Sequence, residues 1–345
     1  MLSELRHPAV TVLVPFFNEG PLLRRALESA RGQTLRDIEI LCIDDGADDA
    51  TLAIAVEFAQ GDDRVRILHN ASNQGINRVR CRGVREARGK FLLSLDGDDA
   101  LERDIAEVAY GHGQGLDVDV VEFLEYVYRN GMRGIRRAKE RIPYGIAHGK
   151  PLHHLLRRCI FAGNMRRIFV RSDTYRAALD LIGPEFCNSR IDMCEDLVHF
   201  IAIHRMARRA MVIEKIGYHY FCRKGSLCLL DLDSQTISYD VLSERFRDQM
   251  RAFRRAFALL HHSQRHLLFP HIAGTNKLLE RECDLCKKLL PPENYAALLA
   301  PFLDEPDYLG GISSLRSLLS ASSPELVPGG SVGVPAGPLP PIAFA

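Results

Sequence analysis

Three carboxylates follow a short apolar segment at residues 91–95. Asp96 and Asp98 are separated by Gly97, and Asp99 comes directly after them. Carboxylate oxygens at this spacing are hard ligands that suit Mg²⁺ or Mn²⁺ shared with a substrate diphosphate. The alternative is a solvated acidic turn that caps the next helix. The strands and helices predicted around these residues are needed to choose between the two interpretations.

Apolar segments recur along the first hundred residues, and helical patterns separate them. Four of these segments predict buried strands: 9–15, 38–43, 65–68 and 91–95. Strands that alternate with helices at short connections predict right-handed crossovers and a largely parallel sheet. The predicted fold class is therefore α/β, with a mostly parallel sheet flanked by helices.

A second acidic pair, Asp44 and Asp45, ends the strand predicted at 38–43. In a parallel sheet this strand end lies on the same edge as Asp96 and Asp98, where open α/β sheets bind ligands. Asp45 is a candidate acceptor for the imide of a pyrimidine base or for a ribose hydroxyl. The alternative for both residues of the pair is an N-terminal cap of the following helix.

Cationic side chains near this edge are candidates for contacts with phosphate. Arg80 lies on the helix that precedes the strand at 91–95, and it either reaches phosphate or belongs to the solvated face of that helix. Arg223 and Lys224 follow an aromatic segment at 218–221 and lie in a glycine-containing loop. Such a loop can close over a diphosphate with these two residues as counter-charges.

A further acidic pair, Glu195 and Asp196, begins an amphipathic helix that ends near Met206. One interpretation is that the pair only stabilises the helix, because acidic side chains in a first helical turn interact favourably with the helix dipole. A carboxylate at this position beside a metal-bound sugar nucleotide is instead a candidate general base.

The composition is that of an ordinary globular protein of 345 residues, with a formal net charge of +1. A net charge this close to zero argues against nucleic-acid binding. The nine cysteines and the lack of a secretory signal indicate reduced thiols. No apolar stretch is long enough to cross a bilayer. We therefore expect a cytoplasmic protein.

The character of the sequence changes after residue 233. Long helical patterns without strand signals fill 234–321, and the proline- and glycine-rich stretch 322–345 predicts a disordered tail. The helical pattern at 235–262 is rich in arginine. One interpretation is a basic amphipathic helix that contacts a partner or the inner face of an anionic membrane. The other is a helix that packs on the core and exposes a basic face to solvent.

The ordered set of motifs resembles family 2 glycosyltransferases of the GT-A fold over about residues 9–230. The residues that carry the resemblance are 14–19, 33–34, 43–46, 73–75, 83, 89, 96–99, 164–171, 195–196 and 223–226. The resemblance implies a nucleotide pocket lined by Pro15, Phe17, Glu19, Asp44, Asp45, Asn73, Gly75, Arg80 and Asp96.

The resemblance also implies roles in the reaction. Asp96 and Asp98 would form a motif for Mn²⁺ or Mg²⁺, shared by Asp99. Asp196 would be the general base of a reaction that inverts the anomeric carbon. The residues expected in the loops that face the phosphate or the acceptor are Glu195, Arg223 and Lys224.

The resulting hypothesis is an inverting hexosyltransferase. It would move a sugar from a nucleotide sugar, expected to be a UDP-sugar, to a glycan or lipid-linked saccharide in polysaccharide or lipopolysaccharide biosynthesis. Residues 1–233 would form the GT-A domain, with a nucleotide-sugar half at 1–115 and an acceptor half at 116–233.

Two other functions compete with this hypothesis. A nucleotidyltransferase would need a glycine-rich, lysine-bearing phosphate loop after the first strand, and residues 16–19 do not form one. A non-catalytic sugar-nucleotide-binding or scaffold protein of the same fold would bind a nucleotide sugar without transfer. The intact carboxylates Asp96, Asp98 and Asp196 argue against that alternative.

Overall fold

The computed structural model describes residues 7–129, 132–136, 145–148, 151–152, 164–223, 239–261 and 264. The chain divides into two compact units, Met1–Leu230 with Arg251–Leu259, and Asp231–Met250 with Leu260–Ala345. Lys224 and the predicted tail at 322–345 lie outside the described residues, as do the helical patterns beyond residue 264. Within the described part of the chain, no helix has the length and apolar character needed to cross a bilayer.

One mixed sheet contains the strands of the described residues. In chain order the strands are β1 (Val10–Phe16), β2 (Ile38–Asp44), β3 (Val65–His69), β4 (Phe91–Ser94), β5 (Ala100–Leu101), β6 (Val120–Arg129), β7 (Met132–Arg136), β8 (Gly145–His148), β9 (Ile168–Arg171) and β10 (Arg209–Phe221). Their order across the sheet is β3-β2-β1-β4-β9-β6-β10-β5, with β7 paired to β6 and β8 paired to β10.

The described residues also form helices. They are α1 (Pro21–Arg31), α2 (Asp49–Gly61), α3 (Ile76–Glu86), α4 (Ile105–Gly115), α5 (Ser172–Ile182), α6 (Pro184–Cys187), α7 (Glu195–Met206) and α8 (Tyr239–Ala258). The α/β class predicted from the sequence is confirmed.

The four strands predicted from apolar segments form one parallel part of the sheet, and β6 and β10 also pair in parallel. β1 pairs in parallel with β2 on one side and with β4 on the other, and β2 pairs in parallel with β3. Beyond β4 the sheet is mixed, because β9 lies antiparallel between β4 and β6. Buried strands read as continuous apolar segments in either orientation, so the apolar pattern at 168–170 predicts the strand but not its direction.

The short connections place the acidic strand ends on one edge. β2 ends at Asp44 and β4 ends two residues before Asp96, and both strands run parallel to β1. Helix α3 packs closely against β1, since a Cβ atom built on Gly83 would lie 2.3 Å from Leu13 Cδ1. This close approach brings Arg80, one turn earlier on α3, towards the acidic edge.

A buried carboxylate joins the first three strands at a distance from this edge. Glu39 of β2 accepts hydrogen bonds from the hydroxyl of Thr11 at 2.7 Å and from the backbone N–H of Arg88 at 3.0 Å. Its second oxygen accepts from Nε of Arg66 on β3 at 2.9 Å. Glu39 therefore has a charged partner and two neutral donors, which compensate for its removal from water.

We predict that Glu39→Ala lowers the free energy of unfolding by roughly 3 kcal/mol, because Thr11 and the N–H of Arg88 lose their acceptor. In the same variant Arg66 keeps only its more distant carboxylate, Glu86 at 3.9 Å. Urea unfolding followed by circular dichroism measures this change.

The matched control is Glu57→Ala, whose carboxylate pairs with Arg24 at the surface; we expect little change in its unfolding midpoint. Equal midpoints for the two variants would contradict the stabilising role of Glu39.

Candidate active site

The loop after β4 presents two of its three carboxylates to a cleft. The side chains of Asp96 and Asp98 are 30% and 18% exposed. Asp99 is fully buried, and its two oxygens accept hydrogen bonds from Oη of Tyr218 and from the backbone N–H of Phe221, each at 2.8 Å. Burial, followed by the charges of Asp96 and Asp98, raises the pKa of Asp99 to about 8. Asp99 therefore fastens the loop to β10, a placement that does not favour its predicted role as a metal ligand.

Further contacts fix the backbone of this loop. The N–H of Asp96 donates to Oη of Tyr218 at 3.1 Å. Arg25 of helix α1 donates to the carbonyl oxygen of Asp98, and its guanidinium carbon lies 3.7 Å from the centre of the Phe221 ring. The loop is thus held between α1 and β10.

Asp45 organises the segment after β3. It accepts hydrogen bonds from Nδ2 of Asn70 and the N–H of Gln74, each at 2.8 Å, and from the N–H of Gly75 at 3.0 Å. Asp44 accepts from the N–H of Ala47 at 2.8 Å. The N-terminal cap of α2 is Asp48, which accepts from the N–H of Thr51 at 2.7 Å. The capping alternative predicted for Asp44 and Asp45 is therefore wrong for α2.

Two further residues of the predicted nucleotide pocket lie in this segment. Gly75 has φ of +87°, a left-handed conformation that favours glycine, and a Cβ atom there would lie 2.5 Å from Oδ1 of Asp192. That same oxygen accepts from the N–H of Ile76 at 3.0 Å, which fixes the start of α3. The buried Oδ1 of Asn73 has no hydrogen-bond donor among the described residues.

The end of β1 forms another wall of the cleft. Glu19 accepts from the N–H of Phe17 at 2.6 Å, and Phe17 is 37% exposed. Burial, together with the nearby charge of Asp98, raises the pKa of Glu19 to about 7. A Cβ atom on Gly97 would lie 3.2 Å from the carbonyl oxygen of Pro15, so the acidic loop rests directly on this strand end.

The acidic pair at the start of α7 faces the loop after β4 across Arg80. Nη1 of Arg80 lies 2.5 Å from Oε1 of Glu195, and Nη2 lies 3.8 Å from Oδ1 of Asp96. Both members of the Arg80–Glu195 ion pair are more than nine-tenths buried. Burial alone lowers the pKa of Arg80, but Glu195 and Asp96 outweigh burial and raise it, so the guanidinium stays charged. The structure thus places Arg80 inside a protein ion pair.

Asp196 follows Glu195 and is partly buried. Its Oδ1 accepts from the N–H of Leu197 at 2.9 Å. Burial, reinforced by the charge of Glu195, raises the pKa of Asp196 to about 7, while Arg80 and Arg166 act in the opposite direction. A carboxylate with a pKa near neutrality suits proton transfer at physiological pH.

A buried network holds α7 against its neighbours. The two ring nitrogens of His199 lie 3.0 Å from Oδ1 of Asn77 on α3 and 3.0 Å from Oη of Tyr175 on α5. Burial, with a smaller effect of Arg80, lowers the pKa of His199 well below its usual range. A neutral imidazole can donate at one nitrogen and accept at the other, so it can bond both partners.

Two more arginines of the described residues pair with acidic side chains in this region. Nε of Arg223 donates to Oδ2 of Asp98 at 2.7 Å. Nε of Arg166 donates to Oε2 of Glu125 at 3.3 Å, and its guanidinium carbon lies 4.0 Å from the centre of the Tyr220 ring.

The sequence patterns assign no functional role to several residues of this site. They are Arg25, Glu125, Arg166, Tyr218 and His199. Their partners are distant in the chain, as for Tyr218 and Asp99, which are 119 residues apart. No local spacing could reveal these contacts, although an isolated histidine on an apolar helix face is a signal for a buried hydrogen bond.

The carboxylates of the cleft fit a metal ion that is shared with a substrate. Among the described residues, no group of three or more histidine, cysteine or acidic side chains could hold a metal ion alone. Mg²⁺ is usually bound by one or two carboxylates together with substrate phosphates, and Asp96 and Asp98 supply two carboxylates that reach the cleft. Asp99 is committed to Tyr218 and Phe221.

This sheet order, with acidic strand ends at one cleft, defines a glycosyltransferase fold of the GT-A type. The structure of TarS from S. aureus in complex with UDP-GlcNAc is similar, with a TM-score of 0.52 at 17% identity over 89% of this chain and 91% of that one. The mannosyltransferase PcManGT from Pyrobaculum calidifontis, in complex with GDP-Man and Mn²⁺, gives a TM-score of 0.50 at 16% identity over 93% and 82%.

Sequence comparison agrees with the structural likeness. The model described as Glycosyl transferase family 2 matches residues 11–174. A putative glycosyltransferase, EpsH of Bacillus subtilis, is 29% identical over 228 residues, which is 64% of this chain. The match spans 62% of the length of that relative. The resemblance stated from the motifs is confirmed, whereas the roles of individual site residues stay predictions.

We predict that Asp45→Ala loosens the segment from Asn70 to Gly75, because two backbone N–H groups and one side-chain amide lose their acceptor. Hydrogen exchange followed by mass spectrometry should show faster exchange in peptides that contain Gln74 and Gly75. Asp49→Ala, on the exposed first turn of α2, is the control and should leave these peptides unchanged. Wild-type exchange in Asp45→Ala would contradict the organising role of Asp45.

Proposed function

We propose that the protein is an inverting glycosyltransferase that moves a hexosyl group from a nucleotide sugar to a saccharide hydroxyl. The observation that carries this proposal is the placement of Asp96 and Glu195 on either side of one buried arginine, Arg80. Asp96 belongs to the predicted donor side, and Glu195 adjoins the predicted base Asp196. One cleft thus has acids suited to binding a donor and to activating an acceptor.

The proposed donor is a UDP-sugar. The segment organised by Asp45 is a candidate contact surface for the nucleoside, and it includes Oδ1 of Asn73, which has no donor among the described residues. TarS binds UDP-GlcNAc and PcManGT binds GDP-Man, so proteins of similar fold use different nucleotides. Asp45 and Asn73 carry acceptor oxygens that would suit the imide N–H of uracil. Competition between UDP and GDP distinguishes uracil from guanine, whose N1–H needs the same kind of acceptor.

In the proposed reaction, Asp196 takes the proton from the acceptor hydroxyl. The acceptor oxygen attacks the anomeric carbon from the side opposite the diphosphate, and the bond to the leaving oxygen breaks, which inverts the configuration. Arg223 neutralises part of the charge of the departing diphosphate, and Lys224 is proposed to assist it. Asp96 and Asp98 would hold Mn²⁺ or Mg²⁺, which when bound supplies Lewis-acid stabilisation of that charge.

The acceptor is proposed to be a glycan or a lipid-linked saccharide of a polysaccharide or lipopolysaccharide pathway. We place the protein in the cytoplasm, with peripheral contact at the inner face of the membrane through basic C-terminal helices. This part of the proposal rests on the arginine-rich sequence pattern at 235–262.

A panel of nucleotide sugars, each with Mn²⁺ or EDTA and with a mixture of saccharide acceptors, tests the proposed function. The expected result is release of a nucleoside diphosphate from one donor, dependent on metal and acceptor. Tight nucleotide binding without release or transfer across the panel would favour the non-catalytic alternative. Absence of both binding and release would refute a nucleotide-sugar function.

We predict that the kcat/KM of the wild type rises with pH through about 7, because the pKa of Asp196 is raised to about 7 and only its ionised form accepts a proton. Below that pH the base is protonated and the rate falls. Asp196→Asn should lower kcat by roughly 10²–10⁴-fold and remove this pH dependence, with little change in nucleotide affinity. Wild-type turnover in Asp196→Asn would eliminate Asp196 as the base.

We also predict that Asp98→Ala weakens metal-dependent binding of UDP by roughly tenfold or more, because a carboxylate ligand of the shared ion is lost. Isothermal titration calorimetry with Mn²⁺ and with EDTA measures this effect. The matched control is Asp104→Ala, whose carboxylate pairs with Lys215 outside the acidic loop. Equal UDP affinity in Asp98→Ala and the wild type would place the metal elsewhere.

A further inference from the structure

The buried ion pair between Arg80 and Glu195 is the contact that links the two sides of the cleft. We propose that Arg80 is a positioning residue, which holds the proposed base Asp196 through Glu195 and keeps it in fixed relation to Asp96. This inference rests on the proposed function. It replaces the predicted role of Arg80 as a direct contact of the nucleotide.

The geometry of Arg80 commits its guanidinium to the protein. Nη1 lies 2.5 Å from Glu195 and Nη2 lies 3.8 Å from Asp96, and the side chain is 6% exposed. An arginine that binds a phosphate presents its planar fork to the ligand, usually with two parallel hydrogen bonds. Here one end of the fork is already occupied by a carboxylate, and the other faces the acidic loop.

The pair acts on Asp196 through the start of helix α7. Glu195 and Asp196 are consecutive residues of its first turn, and Cys194 before them has a left-handed φ of +61°. A side chain anchored at Glu195 therefore fixes the turn from which Asp196 projects. His199, one turn later, holds the same helix to Asn77 on α3, the helix that carries Arg80.

The same contacts also affect the ionisation of the proposed base, Asp196. The charged groups that act on Asp196 are Glu195, which opposes its ionisation, and Arg80 and Arg166, which favour it. Loss of Arg80 would leave Glu195 as a buried charge without its partner, and the two adjacent carboxylates would repel each other. Arg80 therefore affects both the position and the ionisation of Asp196.

A double-mutant cycle between Arg80 and Asp196 tests this inference. Arg80→Gln should lower kcat by roughly tenfold or more in the wild-type background, since small displacements of a catalytic group have large effects. In the Asp196→Asn background the same change should lower kcat by less than about threefold, because a residue that acts through the base has no further effect once the base is gone. Affinity for UDP with Mn²⁺ should stay within about threefold of wild type in Arg80→Gln.

A second readout needs no turnover. Carboxyl-carbon NMR of aspartate-labelled protein, assigned by the signal missing in Asp196→Asn, gives the titration midpoint of Asp196. Arg80→Gln should raise this midpoint by about half a pH unit or more, and Glu195→Gln, which keeps the side-chain shape, should lower it. Arg85→Gln, an exposed position on the same helix, is the matched control and should leave both the midpoint and kcat unchanged.

The outcomes separate the inference from the proposed function. Multiplicative losses in the cycle, a tenfold loss of UDP affinity in Arg80→Gln, or an unchanged midpoint in both Arg80→Gln and Glu195→Gln would each overturn the positioning role. If the wild type transfers no sugar, the proposed function fails, and the NMR titration still decides whether Arg80 acts on Asp196. If Arg80→Gln does not fold, the titration midpoint of Asp196 in Glu195→Gln still tests the inference.

Discussion

The repulsion between carboxylates is the constraint on which the site depends. Asp96, Asp98 and Asp99 leave one strand end, and Glu195 and Asp196 begin a helix that shares Arg80 with that loop. Like charges in a partly buried region raise each other's pKa and destabilise the fold unless cations or donors compensate. The described structure supplies both, because arginines pair with Glu195 and Asp98, and Tyr218 and a backbone N–H satisfy Asp99.

The acidic side chains differ in their partners and burial, and these differences suit them to different functions. Asp99 is fully satisfied inside the protein and holds the loop to β10, whereas Asp96 and Asp98 keep partly exposed oxygens for a ligand. Asp196 has a pKa near 7 because burial and Glu195 oppose its ionisation more than the nearby arginines favour it. A set of similar side chains thus acquires distinct roles from differences in burial and in partners. The proposed glycosyl transfer requires that division, since donor binding and proton removal need different acids.

The sequence predicts those features that local patterns determine. The apolar segments that form β1 to β4, the acids at the ends of β2 and β4, and the helix that begins at Glu195 all follow from periodicity and short connections. The direction of β9 does not, and neither does the burial of Asp99, because both depend on pairing with distant strands. Arg80 was predicted to be near phosphate or solvent, and its partner Glu195 lies 115 residues further along the chain. Contacts at such separations follow only from the folded topology.

A crystal structure of the protein with UDP and Mn²⁺ tests the assignment of this cleft as the donor site most directly. We expect the ion against Asp98, with Asp96 beside it, the diphosphate on the same ion, and the uracil against the segment organised by Asp45. Arg80 should remain paired with Glu195 in that complex. A nucleotide bound away from the acidic edge, or an ion held by Asp99 in place of Asp98, would contradict the assignment of this cleft as the donor site.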